Sequence, residues 1–223
     1  MTQLYGSVND DTLQAAAEGT NVAIQATGRG EIRTIDFITQ MLLQGRCYQI
    51  RAGTIATGVA ADSVLTDTAA EGSVDAVAGT TIIPINLGLT FDDIATATTV
   101  KAAVKAVGVV SSAGTAFVPL PLLQGGNAAT STARVANNGG VTVTAEAATT
   151  TRRLWQYNSV STQTPTTDTP PSAGSIASVA AGVADLNYVG KGAACVYVQV
   201  AATTAFPLYF FNLDYIEIPT VNL

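Results

Sequence analysis

The sequence predicts an all-β chain: an antiparallel β-sandwich, jelly-roll in style, of about eight to ten short strands with one or two short helices. Three observations carry this. Thr and Val are abundant, and both favour extended backbone. Short alternating or apolar runs are separated by Gly, Pro and Asn signals, with no βαβ rhythm and no repeat at solenoid or propeller periods. At 223 residues the chain is long enough to bury a core within one domain.

The elements follow in order. Residues 10–18, DDTLQAAAE, read as a short helix capped by Asp10 and stopped at Gly19. Residues 20–26 alternate as a strand, and 31–43 suit a helix or a strand. RCYQIR (46–51) reads as a strand, and 53–80 as loop. TIIPINLGLTF (81–91) is strongly strand-like, with Pro84 at an edge or a bulge. Asp92 or Asp93 suits the cap of a helix running to Gly108, with a strand over 99–110 as the competing reading. TAFVPLPLL (115–123) is extended, because a residue before Pro is pushed out of the helical region. STARVANNGGVTVTAE (131–146) reads as a β-hairpin turning at Asn137-Asn138-Gly139-Gly140. TTRRLWQYNSV (150–160) is a strand with the only Trp. The chain closes with two apolar strands, 194–200 and 207–218. A single domain over 1–223 is expected, with 1–19 as an N-terminal segment and 161–175, rich in Thr and Pro, as an exposed loop.

The chemistry is narrow. Charged residues make up 12% of the chain, about half the usual share. The net charge is −6 and histidine is absent. His-based triads and His-ligated zinc are thereby excluded, and the acidic balance argues against a charge-driven nucleic-acid binder. Only three lysines occur, Lys101, Lys105 and Lys191, so the surface is built largely from Thr, Ser, Asn, Gln and Ala. The start of the chain reads as lacking a signal peptide, and Cys47 and Cys195 as buried free thiols. The uncharged span 192–213 is broken by Pro207 and alternates at VYVQV, so strands fit it better than a membrane helix.

Candidate sites were weighed against simpler roles. The pairs Asp10-Asp11 and Asp92-Asp93 read as helix caps, not acid–base pairs. Gly28-Arg29-Gly30 and Gly190-Lys191-Gly192 read as turns, since both lack the rest of a phosphate loop. Cys47 beside Arg46 has no histidine to activate it. Asp62, Asp67, Glu71 and Asp75 place four carboxylates in one Gly-containing stretch, a cation site only if they converge. Arg29, Arg33, Arg46, Arg51, Arg152 and Arg153 would form a basic face only if they shared one. Trp155, Tyr157 and Tyr188 would make a sugar-stacking platform only if exposed, and a core or interface role fits them better. No catalytic residue, metal site or cofactor is expected, and no enzyme.

The order of features resembles the single jelly-roll capsid proteins of icosahedral viruses. It runs from a short N-terminal segment through TIIPINLGLTF and TAFVPLPLL, the NNGG hairpin and a closing YFFNLDYIEIP strand. That resemblance implies a coat subunit of a virion, assembled in the host cytoplasm. Its partners would be copies of itself in a lattice, and a second coat protein or an internal membrane is compatible. The basic packaging arm of many small RNA viruses is missing, which points to DNA packaged by other means or to separate inner proteins. The same composition suits a phage decoration, tail or spike subunit or a filament subunit, and a carbohydrate-binding sandwich is a third reading.

Overall fold

The structure is a computed structural model that describes residues 36–54, 56–63, 66–93, 99–137, 139–160, 188–203 and 208–220. The expected helix at 10–18, the strand at 20–26, the segment 1–19, the 161–175 loop, Arg29 and Arg33 lie outside these residues.

One short helix opens the described chain: α1, Phe37–Leu43. Asp36 caps it, its carboxylate accepting from the amides of Ile38 (2.9 Å) and Thr39 (3.2 Å). Gly45, at φ +68°, turns the chain out of the helix. The strands follow in order: β1 Cys47–Ala52, β2 Val59–Ala60, β3 Ala69–Ala70, β4 Gly72–Ala76, β5 Thr80–Asp93, β6 Thr99–Val107, β7 Ser112–Ala113 and β8 Thr115–Phe117. Then come β9 Leu120–Pro121, β10 Thr132–Val135, β11 Val141–Thr142, β12 Arg152–Val160, β13 Gly190–Lys191, β14 Ala194–Thr203 and β15 Leu208–Pro219.

Two sheets, antiparallel throughout, face each other. The first has the order β13-β5-β15-β1-β9, with β2 also pairing β15. The second has the order β12-β6-β14-β4-β10-β8. Strands β1, β4, β5, β6 and β12 to β15 pass between the sheets as a jelly roll does, β6 and β12 being the one consecutive pair within a sheet among these eight. A third, small sheet of order β3-β11-β7 lies apart from both.

Each long strand follows its side-chain pattern. In β15, Tyr209, Phe211, Leu213 and Tyr215 point inward and are buried. They meet Tyr48, Ile50, Leu87 and Leu89 of their own sheet and Val74, Val104, Val196 and Val198 of the other. This is the main core. On the outer face of the first sheet, α1 sets Met41 against Cys47, Ile85, Ile216 and Ile218. On the outer face of the second sheet, Cys195 and Tyr197 are covered by Ala70, Val141 and Val143. Strand β14 is therefore buried on both faces, which accounts for its near-continuous apolar run.

Four expectations need correction. The stretch 53–80 is not all loop: GSVDA forms β4, buried at every residue. The helix expected after Asp92-Asp93 is β6 instead over 99–107, paired along its length with β14 and β12. Its inward Ala102, Val104 and Ala106 outweigh helical propensity, and Asp92 and Asp93 are the last two residues of β5. The NNGG segment does turn, with Gly139 at φ +66°, but its flanking strands do not pair with each other. Strand β10 pairs β4 and β8, whereas β11 pairs β3 and β7. Finally, Gly190-Lys191 is not only a turn. It forms β13 on β5, and Gly192 at φ +73° supplies the turn. Pro84 lies where the register with β15 slips, Asp214 facing Asn86 and Tyr215 facing Pro84, so Ile85 is the extra residue of a bulge.

Candidate functional site

The proposed cation ligands do not converge. Asp75 turns to the outer face of the second sheet, where its carboxylate accepts from the amide (2.8 Å) and hydroxyl (2.6 Å) of Ser111. Glu71 is buried with its carboxylate on the amide of Val200, 2.6 Å away. Asp62 makes backbone bonds on both sides of Ala201, from its amide to Val200 and from Ala202 to its carbonyl. Asp67 lies in the turn before β3. Among the described residues no group of three or more Asp, Glu, Cys or His is placed to hold a metal ion.

The arginines divide between sheets. Arg51 is exposed on β1, and Arg46 lies at the entry to that strand. Arg152 and Arg153 start β12 in the other sheet. Arg153 and Lys105 both contact Glu146, with Lys105 Nζ at 2.5 Å. Those two cations hold the Glu146 carboxyl below its usual range, Lys105 contributing most. This triad fastens the 143–151 segment onto β6 and β12 and is a structural clamp. Trp155 and Tyr157 stack on each other, rings 6.4 Å apart, and both pack with Tyr188 against the main core. They pack against one side of the sandwich and stay partly exposed.

Both cysteines are free and buried, on outer faces of opposite sheets. Burial, with Asp214 adding to it, pushes the Cys47 thiol up to about 11, and burial raises Cys195 as well. At pH 8 only about one Cys47 in a thousand would be thiolate. A thiol reagent such as Ellman's is therefore expected to leave the native protein unlabelled over minutes and to label two thiols after denaturation. Rapid labelling of the native protein would contradict this burial.

Two features of the surface stand out, and neither was marked in the sequence. The first is a polar cleft of about 460 Å³. It lies between the α1–β1 turn, the β4–β5 turn and residues 127–130, with Tyr48 and Glu217 among its walls. The Glu217 carboxylate accepts from the amides of Thr130 (2.8 and 3.1 Å) and Ser131 (2.8 Å). Tyr215 and Ser131 share a hydroxyl bond of 2.7 Å just below. The acid is thus committed to tying a loop to the end of β15.

The second feature is an apolar rim. Leu120 of β9 lies opposite Gln49 of β1, so both share the outer face of the first sheet. Val118 is 75% exposed, and Leu120 and Leu122 are also exposed. On α1, which sits on the same face, Leu43 is 62% exposed and Phe37 is exposed too. The α1–β1 turn connects the two: Leu123 is the nearest side chain to Gly45, and the Leu122 amide bonds the Cys47 carbonyl at 2.9 Å. Pro119 and Pro121 remove backbone donors from this edge, so it is poorly suited to adding a strand. A partner would meet it with side chains.

Among the described residues no helix is long and apolar enough to cross a membrane. No family model matches the chain, and neither a curated protein nor a solved structure does.

Proposed function

We propose that this chain is a structural subunit that assembles with copies of itself into a shell, as a viral coat protein does. The observation that carries the reading is the apolar rim, with Leu43, Val118, Leu120 and Leu122 held out to solvent on a charge-poor sandwich. Large apolar side chains grouped at one corner mark a surface that another molecule covers. Depletion of charge is also the compositional mark of the centres of protein–protein contacts. A jelly roll alone does not decide function, since the fold serves many. The rim adds a specific contact, and symmetry would repeat it.

The test is assembly of the full chain, followed by sedimentation and negative-stain electron microscopy. Closed shells or flat sheets are expected. Leu43→Asp and Val118→Asp are expected to raise the concentration needed for assembly at least about a hundredfold, or about 2.7 kcal/mol per contact. Their melting temperatures should stay within a few degrees of the parent, because both positions are exposed in the single chain. Variants that assemble like the parent would remove the rim from the contact. A parent that stays monomeric at every concentration would overturn the reading, and regular rods or tubes would move it to a filament or tail subunit.

A further inference from the structure

We propose that Glu71 is a proton-controlled latch that holds Asp62, residues 66–71 and the small sheet attached to them against strand β14. The inference rests on how β14 is paired and does not depend on the coat reading.

Strand β4 pairs β14 only as far as Gly72, opposite Val198. Beyond that point β14 needs other partners on this side. Glu71 supplies one with its carboxyl oxygen, which accepts the Val200 amide at 2.6 Å. Its own amide bonds the Val198 carbonyl at 2.9 Å. Asp62 supplies the next, through its amide to Val200 and its carbonyl to the Ala202 amide. The same segment carries β3, whose pairing with β11 builds the small sheet over Tyr197. Glu71 therefore fastens this layer at its root, and Gln199 of β14 holds it further along, its side-chain amide donating to the carbonyls of Thr66 (2.9 Å) and Ala69.

Its surroundings suit a neutral carboxyl and not a carboxylate. Glu71 is 1% exposed. The titratable group that acts on it is Asp62, a second acid; Tyr209 of the facing sheet, which feels Glu71 in turn, has a buried hydroxyl with no partner among the described residues. Among the described residues no cation is placed to offset it. Burial first, and then Asp62, pushes Glu71 up to about 8, against the partial relief of its backbone bonds.

The direction of the pH effect follows. With the latch closed Glu71 keeps its proton to about pH 8, whereas in an opened, hydrated segment it loses it near 4.5. Between those values opening releases a proton. The opening constant then rises by up to about tenfold per pH unit, and it is level on either side of that window.

Hydrogen exchange on the full chain, read at the Val200 amide and corrected for the intrinsic rate, tests this. From pH 5.5 to 7.5 the protection factor is expected to fall at least tenfold, and in Glu71→Gln it is expected to stay flat. A flat profile in the parent, or an equal fall in both proteins, overturns the latch. Should the Gln variant not fold, carbon-13 titration of the Glu71 carboxyl in the unaltered chain decides instead. An inflection near 8 supports the proposal, and one below about 5.5 overturns it.

Discussion

Gly72→Ala is expected to destabilise the fold by about 3 kcal/mol, because one methyl group would collide with an aromatic ring that has nowhere to go. Gly72 starts β4 with its missing side chain on the inward face. A Cβ there would run into the end of the Phe211 ring, with both ring edges also in close contact. Phe211 is 2% exposed, stacks on Tyr209 with ring centres 6.3 Å apart and lies in the main core. The glycine is thus a socket for the ring, and the two residues key β4 of one sheet to β15 of the other. No unusual backbone angle is involved, which separates the causes. With the ring shortened, as in Phe211→Leu, alanine at 72 should be neutral or stabilising, because it lowers the entropy of the unfolded chain. Phe211→Ala alone should cost about 3–5 kcal/mol through the cavity it leaves. Urea denaturation of the two single variants and the Gly72→Ala/Phe211→Leu double variant checks this. A coupling of at least about 1.5 kcal/mol is expected, and simple additivity would refute the socket.

Gly72 also shows what the sequence could and could not reveal. Strands β1, β5, β14 and β15 are legible because their side chains alternate or run apolar, and those patterns report burial directly. GSVDA carries the opposite signal. Its Ser73 and Asp75 look like solvent-facing residues, yet both are buried, because the small sheet covers the outer face of the second sheet. A polar layer roofed by a later part of the chain has no periodicity to detect. Strand β6 misleads for a related reason. Lys105 suggests a helix end open to water, but it is 3% exposed and bound to Glu146, 41 residues further on. At NNGG the turn itself is written in the residues, whereas the partners of its two strands are chosen by the whole fold. The acids at 62–75 are visible as a group in the sequence, but strand geometry sends Asp75 to the outer face and Glu71 to the root of the small sheet.

The same geometry separates the parts of the molecule that hold it together from the apolar parts left exposed. Glu217, Glu71 and Asp75 each accept a backbone amide of a neighbouring segment. Such bonds fix loops that have little apolar surface of their own. Large apolar side chains left in water lie at the α1–β9 rim and on the turn after β6, and the second of these is held by the Asp75 bond to Ser111.

Asp75→Ala is the second substitution with a large expected effect, and it joins these two roles. Its carboxylate takes the amide and the hydroxyl of Ser111, and Ser111 in turn shares a 2.8 Å hydroxyl bond with Ser73. All three residues are buried. Removing the acid strands two donors away from water, at about 1–3 kcal/mol each, so a loss of about 3 kcal/mol or more is expected. Ser111→Ala removes a hydroxyl but leaves its amide satisfied, and should cost about 1 kcal/mol. Ser111 also ends the turn that carries Val109 and Val110, both about half exposed. Asp75 therefore anchors an apolar tip from beneath. In Asp75→Asn one amide oxygen still accepts but the amide nitrogen faces a donor, so stability should fall less than in the alanine variant while the tip loosens. Denaturation curves measure the first effect, and exchange of the Ser111 amide measures the second. If Ser111 stays protected in both Asp75 variants, another part of the fold holds the turn. If protection drops, the proposed shell formation should weaken with it, because the valines would then have to be ordered as each contact forms.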